Sequence, residues 1–153
     1  MTRAREVFAR WSAVGIQRDD VDEMRDREAA FERLERRRGV TLPDAFRALW
    51  SLSDGTASAD DDELTFWPLD NVEDDPSVPA ACPAPRLAFA DWRLGAVVFC
   101  LEFEGGRAAG VTAHAAGEVR VVAATFEGFL EGYLDDPRGL VAGRAGYEIT
   151  SGP

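Results

Sequence analysis

The sequence predicts an α+β fold, with N-terminal helices and a C-terminal helix packed on one mostly antiparallel β-sheet. Three observations carry this. Up to residue 55 apolar residues recur at helical spacing; from Leu87 to about residue 124 the period shortens to two; at Thr125 it lengthens again. Helices, then strands, then a helix is the order of helices banked against one sheet rather than of alternating βα units. The 153 residues suffice for a single domain with a real core. An apolar share of 46% beside 29% charged residues excludes global disorder.

Residues 3–14 set Val7, Phe8, Trp11 and Val14 on one stripe, with Gly15 as a stop. A second helix is predicted from about residue 19 to Arg38, capped by Asp19 and Asp20, with Val21, Met24, Ala30, Phe31 and Leu34 as its apolar positions. Arg36, Arg37 and Arg38 crowd its last turn, where the helix dipole favours cations, and Gly39 suits a left-handed cap. The basic triplet is therefore read as a helix end and not as a binding patch. In "GVTLPDAFRALWSLSDG", Pro43 fits a first helical turn and Asp44 adds a negative charge there. Phe46, Leu49 and Trp50 share one face, and Gly55 is the predicted end of this helix.

A polar loop leads to a short strand containing Leu64 and Phe66, stopped at Trp67-Pro68. Four prolines between residues 76 and 85 mark a surface loop. Strands follow at 87–92 and 94–103, then a hairpin turn at Glu104–Arg107, then strands at 108–114 and 117–124 joined by Ala115-Ala116-Gly117. Thr125 caps the last helix, whose stripe is Phe126, Phe129, Leu130, Tyr133 and Leu134, and Asp136-Pro137 ends it. Gly128 and Gly132 lie four apart, which fits either a helix that meets a neighbour closely or glycines that are simply tolerated there. The remainder, 136–153, is a glycine-rich tail with a weak edge strand at 146–150.

Chemistry-bearing motifs are few. His114 is the one histidine, has no visible nucleophile beside it, and stands at a predicted strand end. Cys82 and Cys100 are read as small buried hydrophobes kept reduced in a cytosol. No phosphate-binding loop exists; "GGRAAG" falls in a hairpin rather than between strand and helix. "DDDEL" and "DNVEDD" offer oxygen ligands, but the first lacks the order of a calcium loop. Glu102 and Glu104 share a strand face near a turn, an arrangement that resembles a catalytic carboxylate pair but equally a solvated strand edge. The expectation is no enzyme, no cofactor and no metal. No apolar run approaches a membrane span, and "MTRAREVFARW" lacks the apolar stretch of a signal peptide.

Charge is more informative. The net charge is −11, and residues 48–85 hold nine acidic side chains and no basic one, whereas residues 1–47 are nearly neutral. Such a segment repels nucleic acid and anionic membranes and attracts basic partners.

The stretch "ERRRGVTLPDAFRALWSLSDG", residues 35–55, followed by "LTFWPLDNV", "LAFADW" and "ATFEGFLEGYL", resembles the SUKH superfamily (Smi/Knr-like) over about residues 28–135. The order of these motifs carries the likeness. It implies a single SUKH-like domain and a protein-binding module without a shared catalytic set. Bacterial members are commonly immunity proteins that neutralise a delivered toxin, often a nuclease or deaminase, and a yeast relative is a cell-wall regulator acting through partners. The proline-rich loop and the glycine-rich tail depart from the family pattern. The resemblance and the charge together imply a cytoplasmic immunity protein that binds one basic toxin. The candidate contacts are Asp60, Asp61, Asp62, Glu63, Asp70, Glu73, Asp74 and Asp75, with Trp67 and Trp92 as aromatic anchors. The alternative is a regulatory or scaffold protein of the same fold, with no toxin and with acidic residues that serve solubility.

Overall fold

Helix α1, Arg3–Val14, starts where the Thr2 hydroxyl accepts from the amide of Arg5 and ends at Gly15, φ 74°. Val7 and Trp11 are fully buried, while Val14 is 55% exposed, so the apolar stripe stops one turn early. The computed structural model to which these elements belong describes residues 1–74 and 86–142. The predicted proline-rich loop, Cys82 and the edge strand at 146–150 lie outside the described residues.

Helix α2 spans Arg27–Arg38, a later start than the predicted residue 19. Residues 21–26 form turns in which one Asp20 carboxylate oxygen accepts from the amides of Asp22 and Glu23 at 2.9 and 3.3 Å. Val21 is 78% exposed, so this stretch has no apolar face for the core to reward, and Asp26 breaks the path with φ 59°. Gly39 closes α2 in the left-handed conformation, as expected.

Helix α3, Asp44–Leu52, buries Phe46, Leu49 and Trp50 completely. Pro43 is its N-cap, one residue outside the first turn. Ser53, not Gly55, ends it. Gly55 has φ 72°, and a Cβ there would lie 2.3 Å from the carbonyl oxygen of Phe66, so its task is close passage beside the next strand.

Strand β1, Leu64–Phe66, is followed by a short helix α4, Leu69–Asp74, which periodicity did not reveal. Strands β2, Arg86–Trp92, β3, Val97–Glu104, β4, Arg107–Ala115, and β5, Glu118–Ala123, complete an antiparallel sheet in simple sequence order. Residues 93–96, of which 94–96 were expected to open a strand, are instead the turn between β2 and β3. Helix α5, Phe126–Asp135, begins at Thr125, whose hydroxyl accepts from the amide of Gly128 at 2.9 Å. A sixth helix, α6, Pro137–Ala142, replaces the start of the predicted tail and lays Leu140 against Gly132, 3.0 Å from where a Cβ would stand.

Helices α1, α3 and α5 pack on one sheet face through aromatic rings. Phe46 stacks on Trp50 at 4.1 Å, Phe129 meets Phe89 and Phe99 at 5.2 Å each, and Tyr133 meets Phe66 at 5.0 Å. Each such pair contributes roughly 0.5–1.5 kcal/mol beyond the area it buries. This core fixes the end of α5 beside the approach to β1, which is where the acidic residues gather.

Candidate functional site: an acidic cleft

The chain enters β1 through a turn organised by Asp60. One carboxylate oxygen accepts from the amides of Asp62 and Leu64 at 2.8 and 2.9 Å, and the Glu63 amide donates to the Asp60 carbonyl at 3.0 Å. The other oxygen accepts from the Tyr133 hydroxyl at 2.5 Å, and that hydroxyl accepts from the Trp11 indole N–H at 3.0 Å. A single line of hydrogen bonds thus joins α1, α5 and the turn. Burial first, and the Asp60 carboxylate second, push the Tyr133 phenol far above its ordinary value, so it keeps its proton and acts as a donor. Asp60 is thereby a scaffold residue, both of whose carboxylate oxygens are engaged within the chain. Its neighbours are displayed: Asp61 is exposed, Asp62 is half-buried with Arg138 Nε at 3.3 Å, and Glu63 is exposed and paired with Arg93 at 2.9 Å.

This turn forms one wall of a cleft of about 460 Å³. Trp11, Ile16, Tyr133, Leu134 and Pro137 give it an apolar floor, and Asp135 and Asp136 at the end of α5 line it together with Asp60, Asp61 and Asp62. Two arginines, Arg10 and Arg138, also line it. Arg10 is committed to α5, donating to the carbonyls of Tyr133 and Leu134 at 3.1 and 2.8 Å, where its charge suits the negative end of the helix. Five aspartates against two arginines leave the cleft negative. Nothing in the local sequence announced that Asp135 and Asp136 join the turn, because the link runs through Tyr133, 73 residues from Asp60.

Among the described residues, the acidic side chains of 48–85 do not form one surface. Asp70 is exposed on α4 and lines a different cleft, of about 390 Å³, with Arg18, Arg25, Arg27 and Arg33. Asp54 is internal: it pairs with Arg27 at 2.6 Å, each side chain 11% exposed, and accepts from the Leu69 amide at 2.8 Å. Glu73 and Asp74 fall on α4, but their side chains, like the whole of Asp75, lie outside the described residues. Trp67 is corrected from an exposed anchor to a core residue. It is 6% exposed, its indole N–H donates to Asp91 at 3.2 Å, and its carbonyl accepts from the Trp50 indole at 2.9 Å. Trp92 is half-buried, with the Arg93 guanidinium 4.5 Å over its ring.

His114 lines neither of these clefts. Its Nε2 lies 2.9 Å from the Thr112 hydroxyl, which donates to Glu102 at 2.5 Å, and Arg86 Nε is 2.5 Å from the same carboxylate oxygen. Since the threonine proton goes to the carboxylate, Nε2 must carry hydrogen and donate to threonine. Burial, then the Arg86 charge, lowers the histidine below its ordinary value and keeps it neutral. The chain of bonds ties β2, β3 and β4 together. Glu104 is exposed, so it is a solvated strand end, whereas Glu102 is not. Among the described residues no group of three or more His, Cys, Asp or Glu is placed to hold a metal ion, and no helix is long and apolar enough to cross a membrane.

No curated protein matches the chain significantly. The profile of the SMI1 / KNR4 family (SUKH-1) matches residues 27–132, from the first residue of α2 to the second turn of α5 and well over half of the sequence. The α+β architecture and this match agree, and the chain belongs to the SMI1 / KNR4 (SUKH-1) family.

Proposed function

We propose that this protein is a cytoplasmic immunity protein that neutralises a cognate bacterial toxin by direct binding, without catalysis, and that the acidic cleft receives the toxin's basic surface. Family membership makes protein binding the leading class. The observation that carries the site is the convergence of Asp61 and Asp62 with Asp135 and Asp136 over an apolar floor. An arginine or lysine from a partner lays its aliphatic stem on such a floor and sets its charge among the carboxylates. Nuclease toxins carry basic surfaces because they bind phosphate, so occupying those residues blocks substrate as well as anchoring the complex. Complementary charge also speeds encounter well above the neutral rate.

The test is capture of the product of the adjacent gene by the tagged protein at low and at high salt, repeated with Asp61→Asn plus Asp62→Asn. Salt-sensitive capture of a basic toxin domain, weakened by the double substitution, is the expected outcome. Absence of capture at any salt, with no toxin-like neighbour, favours the regulatory or scaffold alternative. Salt-sensitive capture that ignores the double substitution moves the contact away from the cleft.

A further inference from the structure

The sheet contains three tight hairpins, and they are built differently. Between β3 and β4 the left-handed positions are Gly105 and Gly106, φ 56° and 82°; between β4 and β5 they are Ala116 and Gly117, φ 51° and 81°. Between β2 and β3 the left-handed positions are Arg93 and Leu94, φ 49° and 53°, ahead of Gly95. Long side chains are disfavoured there, and a turn shaped for stability alone takes Gly, Asn or Asp at such positions. Leu94 gains nothing from packing in return, since it is 99% exposed. Backbone strain at Leu94 with no packing in return points to a task outside the chain.

The tip is also held still. The Arg93 amide donates to the Glu63 carbonyl at 3.1 Å, and its guanidinium pairs with the Glu63 carboxylate at 2.9 Å while lying 4.5 Å over Trp92. The Ala96 amide closes the turn on the Arg93 carbonyl at 3.2 Å. Glu63 is itself left-handed, φ 68°, so the acidic turn and the hairpin tip are locked side by side. An apolar side chain on a hydrogen-bonded turn beside the exposed Glu63 has the form of an interface anchor, because the backbone's share of the ordering cost is met before binding.

We infer that Leu94 is the apolar anchor of the partner interface, entering an apolar socket on the basic protein that Asp61 and its neighbours attract. The inference rests on the toxin-binding proposal above and adds the chemistry of the contact: an apolar socket flanked by cationic side chains.

The experiment compares Leu94→Gly, Leu94→Asn and Leu94→Met with wild type in binding to the toxin domain that the wild type captures, across a salt series. Glycine and asparagine tolerate the left-handed backbone, so both variants are expected to fold and to raise Tm by roughly 2–4 °C. Their affinity is expected to fall roughly 10- to 100-fold, with the salt dependence unchanged, while Leu94→Met stays near wild type. Wild-type affinity in the folded Gly and Asn variants overturns the inference and leaves the toxin-binding proposal standing. A concentration-dependent dimer that these variants abolish assigns the tip to a second copy of the chain and likewise overturns it. Failure of the wild type to capture any toxin domain removes both, and is told apart because no variant then differs from it.

Discussion

Gly55 shows how one hydrogen atom in place of a methyl group sets the path of a chain. Gly55→Ala adds a left-handed penalty and a backbone clash that no side-chain movement relieves, and about 3 kcal/mol or more of stability is expected to be lost in urea unfolding. The residue type was legible in the sequence; its reason was not, because the clash is with Phe66, which only the fold brings near. His114 gives the second prediction at this scale. Its folded pKa lies below the unfolded value of 6.5, so the native state resists a proton that the unfolded chain accepts. Stability from this group is present above about pH 6.5 and is lost as the pH falls through the depressed folded value. Urea midpoints measured from about pH 7 to about pH 5 are expected to fall less in His114→Gln than in wild type. The partners that face His114 from β3 and β2, Glu102 and Arg86, are 12 and 28 positions away in the chain, so its neutrality was invisible to local pattern.

Elements were legible in proportion to their apolar periodicity. Helices α1, α3 and α5 present stripes that the aromatic core absorbs, and the Gly105-Gly106 hairpin declares itself by composition. Helices α4 and α6 have six residues each, too short for a stripe to repeat, and they exist because Val72 and Leu140 are buried by neighbours. The same limit explains the misplaced start of α2, where an aspartate-rich run of poor helical propensity had no face to bury. What fixes α2 instead is an ion pair. Arg27, its first residue, reaches Asp54, and Asp54 also holds the amide of Leu69 at the start of α4. Asp54→Ala leaves a guanidinium and an amide unpaired in a nearly dry site, and a loss of about 3–5 kcal/mol is expected. Circular dichroism and denaturant unfolding measure it; an effect under about 1 kcal/mol would mean that water replaces the carboxylate.

At the scale of the whole molecule, the sequence located the charge but not its distribution in space. Nine acidic residues in a row of 38 positions suggested one surface, yet folding sends Asp54 inside, commits Asp60 to Tyr133, and sets Asp70 in a separate cleft. The acidic cleft is completed from α5 instead. Its effect is expected to be kinetic: with Asp61, Asp62, Asp135 and Asp136 all changed to Asn, association with a basic partner should slow at low ionic strength by roughly tenfold or more and converge on wild type at high salt. Stopped-flow association rates read this directly, and a difference confined to dissociation would place the carboxylates inside the contact rather than around it. The hydrogen-bonded line from Trp11 through Tyr133 to Asp60 has a consequence for how the molecule comes to be made. The sheet is a meander that can form pair by pair as the chain lengthens, but the Trp11 indole of α1 has its hydrogen-bond partner in α5, 122 residues further on. On the ribosome α1 can meet α3, and Trp11 can meet Phe66, well before this bond forms, but that side of the helix is not closed until Tyr133 has left the exit tunnel. Closure of that clasp is the long-range event of folding, and the interval before it is when the nascent protein most needs a chaperone.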